Sequence, residues 1–208
     1  ASLNGTYVDF ELAVTKISNI LAVKGRVLPV TLEDVNIVAE LENGEKITGE
    51  SKIAPVVLKT KSRIKKIHLQ PENVEPYEDV ISALGSADLI VIGPGSLYTS
   101  IIPNLLTDRV SEAVAKSKAK KMYIANVMTQ EGETDGLNIA DHVKAILNHC
   151  NDRKIVDLVI VNKEKIPDYL IQKYAKQNSE SLYLTKDQRN ELEKMKIKII
   201  EGNFLNFN

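Results

Sequence analysis

Ser96, Tyr98, Thr99 and Ser100 place four hydroxyls within five residues, directly after Gly93-Pro94-Gly95. The glycines remove Cβ atoms that would hold a ligand off the backbone, and Pro94 stiffens the turn between them. Ser96 is positioned to cap a short helix whose free N–H groups attract an anion, so this stretch outlines a phosphate site. The competing reading is a capped helix with surface hydroxyls. Asn104 can hydrogen-bond a base or sugar, or cap the segment after Pro103, and Tyr98 can line a crevice or pack beside Leu97 and Ile101.

A second polar loop, Asn126 to Gly136, offers a complementary set of groups. Asn126, Thr129, Gln130 and Thr134 are neutral hydrogen-bonding residues suited to sugar hydroxyls and base edges, with Gly132 among them. Glu133 and Asp135 are carboxylates that can hold a Mg²⁺ bridging to phosphates; the alternative is a solvated or turn-forming pair. No metal site built of protein ligands alone is expected. Asn162, after Val159-Ile160-Val161, reaches the same sheet edge, while Tyr174 either stacks on a base or packs with Leu170 and Ile171. His142 and His149 fall seven residues apart, too far for paired zinc ligands; His142, at the loop-facing end of its helix, is expected to cap the helix or lie at the surface, the alternative being contact with a ligand. Neither a Ser-His-Asp nor a Cys-His arrangement is present, so no catalytic residue is assigned.

Positioning these loops requires strands that end together. Leu89 to Ile92 is an uninterrupted apolar run, which predicts a central parallel strand buried on both faces. Met122 to Val127 predicts the strand that feeds the second loop, and in open parallel sheets two such loops face one crevice. The rhythm continues with helices near Asp108 to Ser117 and Ile139 to Cys150, the latter capped by Asn138. A strand at Ile155 to Val161 and a helix from Pro167 through Lys176 follow. Ser181 to Leu184, a helix at Asp187 to Lys194 and a strand at Ile197 to Glu201 complete the chain. The fold class is therefore α/β, a Rossmann-like three-layer fold with a mostly parallel sheet.

Residues 27–70 read differently, as a small antiparallel β insertion in that single domain. Strands are expected at Val27 to Val30, Val35 to Leu41, Lys46 to Ser51 and Arg63 to Leu69, with an Asn43-Gly44 hairpin turn and a basic connector at Pro55 to Ser62. An amphipathic helix, Asp9 to Val23, precedes them, and a short helix from Tyr77, ended by Gly85, follows.

Composition narrows the class of partner. With 27 basic and 28 acidic residues in 208, no global field recruits nucleic acid or a membrane surface. Cys150 is the single cysteine and falls on an apolar helix stripe, so neither a disulfide framework nor a reactive thiol is expected. Apolar runs stay well short of the ~20 residues that span a bilayer, and no secretory signal is legible. The expectation is a cytoplasmic protein.

Gly93-Pro94-Gly95-Ser96-Leu97-Tyr98-Thr99-Ser100-Ile101-Ile102-Pro103-Asn104 and Asn126-Val127-Met128-Thr129-Gln130-Glu131-Gly132-Glu133-Thr134-Asp135-Gly136, with Leu21 to Pro29 and Asp141-His142, resemble the gluconeogenesis-factor group (YvcK-like) of the CofD-like family. The resemblance covers essentially the whole chain. It implies a preceding strand with a Gly-Gly-Gly-Thr-Gly-type loop and further, partly basic chain after Asn208, so residues 1–208 are expected to be a fragment of one CofD-like domain. One branch of that family moves a phospholactyl-type group from a nucleotide to a deazaflavin in coenzyme F420 synthesis. The other is regulatory, binds UDP-sugars such as UDP-N-acetylglucosamine, and supports gluconeogenic growth, cell shape and wall-precursor supply. The longer loops here resemble the second branch, which implies a UDP-sugar ligand, a partner enzyme of amino-sugar synthesis and room for a homodimer.

Overall fold

The computed structural model describes residues 25–176 and 178–205, and within them the strands sort into two sheets. Asn36–Leu41 (β1), Lys46–Thr48 (β2) and Ile64–Gln70 (β3) pair antiparallel in the order β2-β1-β3. Gly44, at φ 86°, makes the β1–β2 turn in a conformation that residues with a Cβ resist. Ile67 and Leu69 are buried on one face by alternation, and a register irregularity between Glu40 and Leu41 brings Ile64 into the core as well, leaving Lys65 and Lys66 both exposed. The helix Glu50–Thr60 (α1) connects β2 to β3 and is held by Ile53 and Val57, one turn apart and both buried.

Glu78–Ser86 (α2) leads into the second sheet, whose strands are all parallel. Leu89–Ile92 (β4), Lys120–Ile124 (β5), Leu158–Asn162 (β6) and Lys198–Gly202 (β7) lie in the order β4-β5-β6-β7, so their carboxyl ends share one edge. Ile102–Leu106 (α3), Val110–Lys116 (α4), Ile139–His149 (α5), Asp168–Ala175 (α6) and Lys186–Lys194 (α7) make the crossovers. One hydrophobic cluster runs through both sheets, from Ala39, Leu41 and Ile53 to Ile92, Tyr123, Ile146 and Val159.

Several expectations are corrected. Pro55 to Ser62 is not a connector, since residues up to Thr60 belong to α1; Pro55 sits inside the helix and cannot donate to the Ser51 carbonyl, and burial of Ile53 and Val57 offsets that loss. Val27 to Val30 forms no strand, although the Val30 carbonyl accepts a 2.8 Å bond from the Tyr77 N–H. Strand β2 stops at Thr48, and Ser181 to Leu184 contributes a single bridge to Met128. Among the described residues β4 is an edge strand: Ile90 and Ile92 are buried, but Leu89 and Val91 are 48% and 47% exposed. A four-residue apolar run does not by itself distinguish one covered face from two. The expected helix at Asp9 to Val23 lies outside the described residues.

Helix α5 starts as the sequence predicts. The Asn138 side chain accepts from the Asp141 N–H at 3.1 Å, and the Asp141 carboxylate accepts from the Asn138 N–H at 3.1 Å, a reciprocal capping box. Asn138→Ala is expected to lower stability by about 1 kcal/mol in urea unfolding, whereas Asn138→Asp retains most of it. Equal losses in the two variants would show that the cap is not what the side chain contributes.

Candidate functional site

β4 ends at Gly93, at φ 77°, where a Cβ would lie 3.1 Å from the Ile124 carbonyl oxygen and 3.2 Å from Ile101 Cδ1. Only glycine turns the chain there without strain. The chain then passes through Pro94, Gly95 and Ser96 into one π-helical turn, Leu97–Ile101, which continues as α3. Ser96 occupies the cap position, but its hydroxyl makes no capping bond. Its carbonyl instead accepts from the N–H groups of Ser100 (3.0 Å) and Ile101 (2.9 Å).

Two clasps join this loop to the second one. Asn126 Nδ2 donates to the Gly95 carbonyl at 2.9 Å, and the Gly95 N–H donates to Asn126 Oδ1 at 3.4 Å. Further in, the Thr99 hydroxyl and Gln130 Nε2 both donate to Glu133 Oε1, at 2.9 and 2.8 Å. Burial pushes the Glu133 carboxyl above the usual carboxylate range, opposed by the Thr99 hydroxyl and by the backbone at Tyr98 and Thr99. An internal carboxylate therefore faces the start of the π-turn, the place where the sequence predicts a bound anion. Among the described residues its Oε2 has no hydrogen bond of good geometry.

The second loop is folded inward over much of its length. Thr129 and Thr134 are buried, their hydroxyls accepting from the N–H groups of Glu180 and Gln130, each at 2.8 Å. The Asp135 carboxylate accepts from the Gly132 N–H at 2.7 Å and closes its own turn. Gly132, at φ 77°, presses against α1, where an added Cβ would stand 2.7 Å from Ala54 Cβ. Glu133 and Asp135 are thus both engaged, and among the described residues no group of three or more His, Cys, Asp or Glu side chains is placed to hold a metal ion.

What remains between the loops is a crevice of about 550 Å³ over the carboxyl ends of β5 and β6. Pro94, Gly95 and Ser96 form one side, Asn126, Met128, Thr129 and Gln130 the next, and Asn162, Phe204 and Leu205 the far side. Its size suits a small ligand, and its position is where open parallel sheets bind one. A second cavity of about 480 Å³ lies behind the first loop, lined by Leu28, Val30, Val80 and Leu84 together with Gly93, Ser100 and Asn104. The structure thus divides the first-loop residues, Ser96 facing one cavity and Ser100 and Asn104 the other.

The remaining expectations are placed as follows. Tyr98 is buried, edge-on to His149 at 6.0 Å between ring centroids, and burial pushes its hydroxyl up to about 12. Asn162 is buried, its Nδ2 donating to the Glu164 carbonyl at 3.0 Å and its Oδ1 accepting from the Phe204 N–H at 3.2 Å. Tyr174 sits on α6 and is not among the residues lining the crevice. His142 corrects a reading: it is neither cap nor surface residue but fully buried, with Nδ1 3.1 Å from the Tyr123 hydroxyl. Phe204 and Leu205 were not anticipated. The signal was present, because residues just after a fourth parallel strand must emerge at the same sheet edge as both loops.

These features define an α/β protein with a ligand-sized crevice at the carboxyl edge of a parallel sheet. A family model described as 2-phospho-L-lactate transferase CofD matches residues 1–205, and the chain belongs to the CofD family. It is 45% identical over 179 residues to the gluconeogenesis factor of Bacillus subtilis, covering 86% of this chain and 55% of that protein. The gluconeogenesis factor of Listeria innocua is 38% identical over 205 residues, covering 99% and 59% respectively. A crystal structure of a UPF0052 family member from Bacillus halodurans superimposes with a TM-score of 0.88 at 39% identity, covering 96% of this chain and 62% of that one. The chain spans about half the length of the relatives it matches. No helix among the described residues is long and apolar enough to cross a membrane.

Proposed function

We propose that the crevice binds a nucleotide sugar, of which UDP-N-acetylglucosamine is the leading candidate, and that the protein acts as a regulator of gluconeogenic growth, cell shape and wall-precursor synthesis. The observation that carries this reading is the pairing of Gly95 with Asn126, next to Ser96, at a crevice on the sheet's carboxyl edge. The diphosphate lies beside Gly95 and Ser96, whose hydroxyl has no partner among the described residues. Sugar and base are read by Gln130 and by the far side near Asn162. The names of the relatives, gluconeogenesis factors, support the link to gluconeogenic growth. Occupancy shifts the population of loop conformations, and with it a surface recognised by a partner enzyme of amino-sugar synthesis.

A second reading, phospholactyl transfer from a nucleotide donor, is favoured by the description of the matching family model. Calorimetry on the intact protein with UDP-N-acetylglucosamine and with GDP separates the two. The test variant is Gly95→Val combined with Ser96→Ala; a Cβ at Gly95 meets nothing closer than 3.7 Å, so the first atom added there has room. UDP-sugar binding that falls at least tenfold in the variant is the expected result. Binding of GDP with none of the UDP-sugar would overturn the regulatory reading and direct attention to transferase assays.

A further inference from the structure

Phe204 is the one aromatic side chain among the described residues lining the crevice, and it is 54% exposed. A lone exposed phenylalanine is ordinary on a protein surface. This one is held in place by two features that packing alone does not require. Asn162, itself only 6% exposed, spends its carbonyl oxygen on the Phe204 N–H and its amide on the Glu164 carbonyl, so a buried polar side chain fixes the chain that follows β7 over the end of β6. Gly202 supplies the second feature. A Cβ there would lie 2.5 Å from Phe204 Cζ and 3.0 Å from both Cε atoms, so the tip of the ring occupies space that any other residue at position 202 would fill.

The ring is thus set at the far side of the crevice from Ser96, whose hydroxyl makes no capping bond and is suited to phosphate. A nucleotide has the matching polarity along its length, with an anionic end and a flat apolar-faced base. We infer that Phe204 is the wall on which the base of the bound nucleotide stacks, an inference that rests on the nucleotide reading above and adds the residue that holds the base. Aromatic stacking tolerates any base, since each presents a π-face. The ring therefore contributes affinity for nucleotides as a class, while hydrogen bonds from the second loop select among them.

The test is calorimetric titration of UDP-N-acetylglucosamine into the intact wild-type protein and into Phe204→Ala, Phe204→Leu and Phe204→Trp. Stacking predicts that Ala and Leu both weaken binding about 10- to 100-fold and that Trp keeps or tightens it. Leucine is the decisive variant, because it preserves apolar bulk but has no π-face. Wild-type-like affinity in Phe204→Leu would overturn the stacking role while leaving the nucleotide reading intact. Absence of binding of both UDP-N-acetylglucosamine and GDP by the wild-type protein would remove both.

Discussion

Replacing Gly132 by alanine is expected to destabilise the protein by between about 2 and 6 kcal/mol, the largest effect of any single methyl group considered for this chain. Two separate costs contribute. At φ 77° an alanine is forced into the left-handed region, and its Cβ would meet Ala54 Cβ at 2.7 Å, Ala54 Cα at 2.8 Å and the Ala54 carbonyl oxygen at 2.9 Å. Two of those three atoms are backbone, so no rotamer change relieves the clash; either α1 or the loop must move. Gly95→Ala is the control, because there the nearest atom is 3.7 Å away. Urea unfolding of the two variants should show a large loss for the first and less than about 1 kcal/mol for the second. A loss below 1 kcal/mol at Gly132 would mean that the loop does not pack on α1 as described. The same loop carries Gln130 to the lining of the crevice.

Stability is also expected to fall as the pH is lowered from about 6.5 towards 4, with His142 the leading cause. Burial holds its imidazole down to about 4 from an ordinary 6.5, against a smaller opposing pull from Asp141. Among the described residues its Nε2 has no hydrogen-bond partner, and Nδ1 faces the Tyr123 hydroxyl, so a proton added to the ring gains little inside the protein. Between those two pH values the unfolded chain takes up a proton that the folded chain refuses, so stability rises with pH across the window and the contribution is lost on acidification. A separation from 6.5 to about 4 corresponds to roughly 3 kcal/mol. His149 acts in the same direction, its ring also held down by burial. Glu133 acts in the opposite sense: its raised carboxyl binds a proton more readily when folded, so its contribution is lost as pH rises through that carboxyl's range. His142→Gln should flatten the dependence of the urea midpoint on pH between 4 and 6.5. An unchanged slope would assign the acid sensitivity to other groups.

Much of the architecture is decided by short-range pattern. The Asn43-Gly44 turn, the Asn138 cap, the apolar strands and the alternation of strand with helix are local properties of the chain, and they place both glycine loops at one sheet edge before any tertiary contact is considered. The residue types at the crevice are legible too, although glycine, serine and asparagine after a parallel strand serve a turn or a helix cap as readily as a ligand. Orientation was not. Thr99 and Glu133 meet across 34 residues and Asn126 and Gly95 across 31, and those pairings turn hydroxyls and a carboxylate inward that the sequence alone leaves free to face a ligand. The same holds for α1, whose proline argues against a helix until Ile53 and Val57 are seen to bury against the core. Phe204 belongs with them, since its place at the crevice depends on Gly202 and on Asn162, a residue 42 positions earlier. Local sequence determined most of the parallel-sheet elements and the edge at which both loops emerge; the tertiary structure decided the helix α1 and which side chains hold that edge together, because burial and hydrogen-bond partners are properties of distant contacts.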